Sequence, residues 1–211
     1  MRYATPEQAL ATIQDGETIW CHSMAATPYK MLDALAQVAR DKHDLTLLSL
    51  HTEKSGALCD PALRGHLRQR VYFVGGPTRP AINCGLADYV PMFLSEIPKL
   101  FRNREQLLDT AIIQVSPPDK HGLCSLGISV EATRAAMQSA KRIIAQVNPL
   151  MPRTHGDSFV HLRDFDAYVE LESVIPEHLP AEQDPITAQI GRHVASLIRD
   201  GDCLQMGIGA I

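Results

Sequence analysis

Apolar positions in this chain follow two rhythms that take turns. Short continuous apolar runs predict strands, and apolar residues recurring every three or four positions predict helices. Thr18-Ile19-Trp20-Cys21 is the first run and reads as a strand. It leads into Thr27-Pro28, a pair suited to the N-cap and first position of a helix: a threonine hydroxyl accepts an orphan N–H, and proline's fixed φ starts the turn. Leu32, Leu35, Ala36 and Ala39 then mark one helical face. Residues 45–50, 71–74, 111–115 and 143–147 read as further strands. A helix begun by Ser129, with Glu131 in its first turn, carries the stripe Val130, Thr133, Met137 and Ala140. Strands that are apolar on both sides need cover on both sides, so the pattern predicts an α/β fold with a mostly parallel sheet flanked by helices.

The texture changes at Asn148. Pro149, Pro152, Pro176, Pro180 and Pro185 punctuate the chain from there on, with a strand pair expected at residues 159–162 and 167–171. Residues 176–185, acidic, proline-bearing and without period, read as a linker. A fresh helix is expected from Asp184-Pro185, with Ile186, Ile190, Val194, Leu197 and Ile198 on one face. A turn at Gly201 and a strand over residues 203–206 would complete an αβ unit. The expected organisation is a first α/β domain over residues 1–175, the linker, and the first helix and strand of a second domain over residues 186–211.

Composition narrows the partners. With 20 Lys+Arg against 24 Asp+Glu the net charge is −4, which gives no electrostatic case for nucleic acid or an anionic membrane surface. No apolar segment approaches bilayer-spanning length, and residues 1–16 carry Glu7 and Asp15 rather than a signal-peptide core; a cytoplasmic protein is expected. The five cysteines are scattered, never in C-x-x-C spacing, and each lies in or beside an apolar stretch, so reduced, packed thiols are expected. The nine histidines form no H-E-x-x-H or comparable set, and no metal site is expected.

Candidate chemistry lies in the loops that follow strands, because open α/β sheets bind ligands beyond the carboxyl ends of their strands. Ser116-Pro117-Pro118-Asp119-Lys120-His121-Gly122 holds polar groups on a proline-stiffened exit, with Ser125 and Gly127 just beyond. It reads either as a substrate-facing wall or as a well-built turn with a solvated tip. Gly75-Gly76-Pro77-Thr78-Arg79-Pro80 repeats the form, and Arg79 either forks onto a carboxylate or phosphate or sits in solvent. Trp20-Cys21-His22-Ser23-Met24-Ala25-Ala26-Thr27-Pro28 is a third loop, of small residues entering a helix N-terminus that suit either ligand approach or close helix–strand contact. Cys124, in Gly122-Leu123-Cys124-Ser125-Leu126-Gly127, has neither the nucleophile-elbow spacing around it nor a base to ionise it. Gly207 and Gly209 close the sequence in a glycine loop where backbone can approach a ligand. A helix expected beyond them would aim its amides at an anion, so the site is expected to be completed by residues outside this chain.

Taken in order, several segments resemble the acetyl-CoA hydrolase/transferase family, a branch of family I CoA-transferases that includes 4-hydroxybutyrate CoA-transferase-like enzymes. They are Gly75-Gly76-Pro77-Thr78-Arg79-Pro80-Ala81-Ile82-Asn83, then Asp88-Tyr89-Val90-Pro91 through Glu96-Ile97-Pro98, then Gln114-Val115-Ser116-Pro117-Pro118-Asp119-Lys120-His121-Gly122 with Ser125-Leu126-Gly127. Gln146-Val147-Asn148, Met151-Pro152-Arg153-Thr154-His155-Gly156-Asp157 and Leu204-Gln205-Met206-Gly207-Ile208-Gly209-Ala210-Ile211 complete the set. The resemblance implies a two-domain α/β protein that moves coenzyme A between short-chain carboxylic acids through a glutamyl-CoA thioester. Coenzyme A is then a substrate, and no tightly bound cofactor is expected.

By the same resemblance Gly207, Ile208, Gly209, Ala210 and Ile211 match a CoA-binding loop. Gly76, Arg79, Ser116, Pro117, Asp119, His121, Gly122, Ser125 and Asn148 are candidates for the substrate pocket. The family's nucleophilic glutamate lies beyond that loop. Glu53, Glu96, Glu131, Glu170 and Glu172 do not match its motif, and Glu96 reads instead as an ion-pair or helix-terminus carboxylate. The expected partners are acyl-CoA, a short-chain carboxylate and a C-terminal domain or partner chain, with a homo-oligomer open. Two further readings stay open, an acetyl-CoA hydrolase of the same family and a non-catalytic acyl-CoA-binding or partner subunit. A sugar-phosphate isomerase-like α/β protein is disfavoured by the S-P-P-D-x-H-G segment.

Overall fold

Seven parallel pairings build one eight-stranded sheet in the first of two units into which the chain divides, Met1–Pro176 and Glu177–Ile211. The computed structural model describes residues 1–177, 184–205 and 207; the expectations for most of the linker and for Met206, Ile208, Gly209, Ala210 and Ile211 fall outside the described residues. The strands are β1 (Arg2–Tyr3), β2 (Thr18–Cys21), β3 (Leu45–Ser49), β4 (Leu67–Val71), β5 (Ala87–Tyr89), β6 (Leu108–Val115), β8 (Ala140–Val147) and β10 (Ala167–Glu170), in the order β1-β10-β8-β6-β2-β3-β4-β5. From β2 the chain steps outward through β3 and β4 to β5, then returns to the other side of β2 and steps outward again through β6, β8 and β10. The reversal lies between β2 and β6, which is where such sheets open a crevice at their carboxyl ends. A separate antiparallel pair, β7 (Leu123–Ser125) with β9 (Phe159–His161), follows β6.

Period-two alternation sends successive strand residues to opposite faces, and both faces are buried. Ile19, Cys21, Leu47, Ile112, Ile144 and Val169 pack on one side with α1 (Pro6–Leu10) and α2 (Tyr29–Val38). Trp20, Ala111, Ile113, Val115, Ala145 and Val147 pack on the other with α4 (Ile97–Arg102) and α5 (Thr133–Ser139). Trp20 anchors that second face: its ring meets Phe101 edge-on at 5.1 Å, and its Nε1–H reaches the Thr133 hydroxyl at 2.9 Å. At the amino ends of the strands a largely buried Glu17 accepts from Arg142 and from the Thr110 hydroxyl, so this deeply placed carboxylate is fully partnered.

Several expected elements moved, each for a local reason. The strand expected at 71–74 lies at Leu67–Val71, where Leu67, Gln69 and Val71 are buried and Arg68 and Arg70 exposed; such an alternation contains no continuous apolar run. Tyr72 and Phe73 only prolong it, donating to the carbonyls of Ser49 and Leu50 at 2.9 Å. Thr27 does not cap α2: Pro28 takes that position, and the Thr27 hydroxyl donates to the Met24 carbonyl and accepts from the Glu53 N–H. The helix expected from Ser129 begins at Thr133, because Glu131 stands at φ +23° while its carboxylate accepts from the N–H groups of Thr133 and Ser23; Ala140 already belongs to β8.

The expected pairing of residues 159–162 with 167–171 is absent. β9 pairs with β7, and β10 joins the main sheet between β8 and β1. Cys21 and Cys124 are buried, but Cys59 is only half-buried and Cys84 and Cys203 are exposed, so the packed-thiol expectation holds for two of the five; Cys84, for example, caps the surface helix α3 (Arg79–Asn83).

In the second unit α6 (Pro185–Ala195) starts as expected, with the Asp184 carboxylate accepting from the Thr187 N–H at 2.8 Å and Pro185 at the first position. Leu197 and Ile198 lie past its end. Residues 203–205 form no strand, having no partner strand among the described residues to complete a ladder.

Candidate functional site

Because every strand of the main sheet runs the same way, the loops after β2, β3, β4, β5, β6 and β8 all emerge at one edge. The expected loops around Gly76–Arg79 and Ser116–Gly122 do share that edge. They do not follow neighbouring strands, since β2 and β3 stand between β4 and β6, a separation of roughly 14 Å at normal strand spacing.

The loop after β6 spends its polar groups on itself. Asp119 Oδ1 accepts from the N–H groups of His121 (2.8 Å) and Leu123 (3.0 Å), and its Oδ2 accepts from the Arg153 guanidinium (2.8 Å). Those bonds, led by the Leu123 N–H, hold its carboxyl below the usual range. Ser116 is buried, with its hydroxyl oxygen accepting the Ser125 N–H at 2.9 Å. The buried Ser125 hydroxyl accepts from the N–H groups of Gly127 and Thr154. Gly122, at φ +79°, passes so close to His161 that a Cβ would lie 2.7 Å from its ring. Of the candidates here only Pro117 and His121 are exposed. Cys124 beneath the loop is no thiolate, its thiol pushed up to about 11 by burial, and burial raises Cys21 further still.

The loop after β4 is the opposite. Gly76 is exposed, and a Cβ there would meet nothing within 4 Å. Arg79 opens α3, exposed, its backbone N–H tied to the Gly75 carbonyl at 3.1 Å; its guanidinium makes no hydrogen bond or ion pair among the described residues. Asn148 belongs with neither loop. It is fully buried after β8, and its amide bonds to Gln114 and Ser173. Glu96 stands at the N-cap position of α4, as its helix-terminus reading has it, accepting from the Phe93 N–H. Gly207 is exposed in the second unit.

One cluster escaped the sequence reading, and the third candidate loop holds a geometry that the reading did not foresee. After β3, His51 Nε2 lies 2.7 Å from Glu53 Oε1, with the ring set edge-on to Phe73 and so close to Gly75 that a Cβ would fall 1.9 Å from Nδ1. The signal was available: a His-Thr-Glu triplet directly after a correctly placed strand. At the β2/β6 crevice the fully buried His22 takes the Gln114 N–H on Nδ1 (3.2 Å), and its Nε2 lies 2.6 Å from the Ser129 carbonyl. Beside it Met24 adopts a left-handed φ of +57°, its N–H donating to the His51 carbonyl at 2.6 Å. No one-dimensional pattern announces that strained, half-buried methionine.

A cavity of about 370 Å³ lies at the amino ends of β3 and β4, lined by residues such as Leu45, Leu67, His66, Arg64 and Arg68 and by none of the candidate residues. Among the described residues no group of three or more His, Cys, Asp or Glu could hold a metal ion, and no helix is long and apolar enough to cross a membrane.

The profile of the acetyl-CoA hydrolase/transferase N-terminal domain matches residues 1–180. A 4-hydroxybutyrate coenzyme A transferase of Clostridium kluyveri is 39% identical over 210 residues, which is 100% of this chain and 49% of that protein. A succinyl-CoA:acetate/propanoyl-CoA:succinate CoA transferase of Fasciola hepatica is 41% identical over 208 residues, 97% of this chain and 43% of its own length. Among solved structures RipA from Yersinia pestis superposes with a TM-score of 0.91 at 32% identity, covering 98% of this chain and 51% of RipA. The chain thus spans about half the length of the relatives it matches.

Proposed function

The chain belongs to the acetyl-CoA hydrolase/transferase family, and from that premise we propose that it is the N-terminal part of an acyl-CoA:carboxylate CoA-transferase. The observation that carries this reading is the family match over residues 1–180 by a chain that spans half of relatives named as CoA-transferases. In the proposed reaction a glutamate carboxylate outside this chain attacks the acyl-CoA carbonyl. CoA thiolate leaves, and an acyl-glutamyl anhydride forms. The thiolate then attacks the glutamyl carbonyl, releasing the acyl carboxylate and leaving a glutamyl-CoA thioester, which an acceptor carboxylate resolves by the reverse steps.

This chain's share is the rim. Arg79, exposed and with an open Gly76 beside it, is the group placed to fork onto a carboxylate or a phosphate oxygen. His121 and Pro117 flank the site from the loop after β6, while Ser116, Asp119, Gly122 and Ser125 hold that loop in shape. Residues 1–175 form the domain that carries the rim. Residues 186–211 begin a second one, in which Gly207, Ile208, Gly209, Ala210 and Ile211 meet coenzyme A. A cytoplasmic setting and coenzyme A as a substrate rather than a resident cofactor complete the reading. The hydrolase activity in the family's description is a second reading of the same site, with water in place of the acceptor carboxylate.

Thiol release from acetyl-CoA and butyryl-CoA, followed with and without acetate, tests the assignment. The purified 211-residue protein is expected to show no turnover, because none of its glutamates matches the family's nucleophile. Turnover by this protein alone would overturn the assignment.

A further inference from the structure

We infer that Gln114, Asn148 and Ser173 form an uncharged clasp that fixes where the chain leaves the first unit, and that Asn148 is a positioning residue rather than a substrate ligand. Four separate segments meet there: the β2–α2 loop, the ends of β6 and β8, and the stretch 171–173 that follows β10. All three side chains are 2% exposed or less. Gln114 Nε2 donates to the carbonyls of Ala26 (2.9 Å) and Thr27 (3.3 Å). Its Oε1 accepts from Asn148 Nδ2 (2.8 Å), Gln146 Nε2 (3.1 Å) and the Ser173 hydroxyl (3.0 Å). Asn148 Nδ2 also donates to the Ser173 carbonyl at 2.7 Å, while its Oδ1 accepts the Ser173 N–H at 3.1 Å and the Leu150 N–H at 3.0 Å. Gln146 adds a bond to the Leu171 carbonyl at 3.1 Å.

Asn148 therefore engages both backbone groups of Ser173, which a strand neighbour would otherwise have to satisfy. β10 ends at Glu170; the Leu171 N–H still reaches the Val147 carbonyl at 3.0 Å, and at Ser173 the side-chain amides replace the ladder. Asn148 also has no capacity left for a ligand. Both amide hydrogens and both acceptor positions have protein partners, so its occurrence in a family-like segment reflects geometry at the sheet's carboxyl edge and not contact with substrate. The same clasp reaches the β2–α2 loop through Gln114. The departure point of the chain and the β2–α2 loop, at the sheet's carboxyl rim, are thereby held by a single buried hydrogen-bond network. The inference rests on the proposed function only in calling that edge a rim.

Amide hydrogen exchange on the 211-residue protein reads the clasp directly. Ser173→Ala removes one hydroxyl and is expected to raise exchange at the residue-173 amide, which Asn148 Oδ1 holds, roughly tenfold, with the centre of β6 unchanged. Asn148→Asp places a carboxylate against the Ser173 carbonyl and Gln114 Oε1, where only the protonated acid can donate. Its protection at Ser173 should be lost at neutral pH and return on acidification, whereas Ser173→Ala shows no such recovery once intrinsic exchange rates are factored out. Unchanged protection in Ser173→Ala overturns the inference. So does a loss spread evenly over the sheet in both variants, which would mark general destabilisation. Failure of the proposed transferase assignment would leave these exchange results unaltered.

Discussion

The loops after β4 and β6 carry the same sequence form, a short apolar run followed by glycine, proline and a charged residue, yet they are opposites in the folded chain. The loop after β6 is closed: Asp119 serves three donors, Ser116 and Ser125 hold backbone N–H groups, and Gly122 is pressed against His161. The loop after β4 is open at Gly76 and Arg79. A polar side chain whose hydrogen bonds are taken up within its own loop shapes a site, and one that keeps them unspent can meet a ligand. Rim position alone does not separate the two roles.

The largest test of that contrast exchanges the two glycines for alanine. Gly122→Ala combines a left-handed φ with a Cβ 2.7 Å from the His161 ring and is expected to cost about 2–3 kcal/mol in chemical denaturation. Gly76→Ala meets nothing and should stay within about 0.5 kcal/mol of the parent. Equal costs would erase the distinction.

A smaller effect should separate the charged residues by pH. The Asp119 carboxyl titrates below its ordinary value in the folded chain, so its contribution to stability is present above the unfolded value near 4 and is lost as pH falls through the folded one. Asp119→Asn should therefore lower Tm at pH 7, and the gap to the parent should narrow below about pH 4. A gap that persists undiminished at pH 3 would show that the carboxylate's charge is not what the loop uses.

The smallest stability effect belongs to Arg79→Ala, expected within about 0.5 kcal/mol of the parent. If this arginine keeps its hydrogen bonds for a ligand, the same substitution should weaken binding of acetyl-CoA or acetate by about tenfold or more in calorimetry, wherever the parent binds. A large loss of stability instead would mean that Arg79 belongs to the scaffold.

Much of the fold was legible because strand patterning records burial. Residues 111–115 and 143–147 are apolar on both faces and form the centre of a parallel sheet, and the Asp184-Pro185 pair marks a helix start through chemistry confined to a few neighbouring residues. β4 was not legible, since near the sheet edge Arg68 and Arg70 face solvent and Arg68 is held by Asp88 across the strand pair. The partner of residues 159–161 was not legible either: two short strands close in sequence suggest each other, but β7 and β8 competed for them and won. The His51–Glu53 pair and the left-handed Met24 went unread, although the first lies directly behind a correctly placed strand.

By itself the sequence determined the alternation of strands and helices, the two-sided burial of the sheet and the positions of three loops at its carboxyl edge, because each of these is written in local period and composition. Only the tertiary structure decided which loop residues are consumed and which are free, that Asn148 clasps Ser173 and that Glu131 holds the start of α5 against the β2 loop. Those outcomes depend on hydrogen bonds between residues as much as 108 positions apart in the chain. Such bonds leave no periodic trace, because their geometry exists only once the sheet has brought its carboxyl edge together.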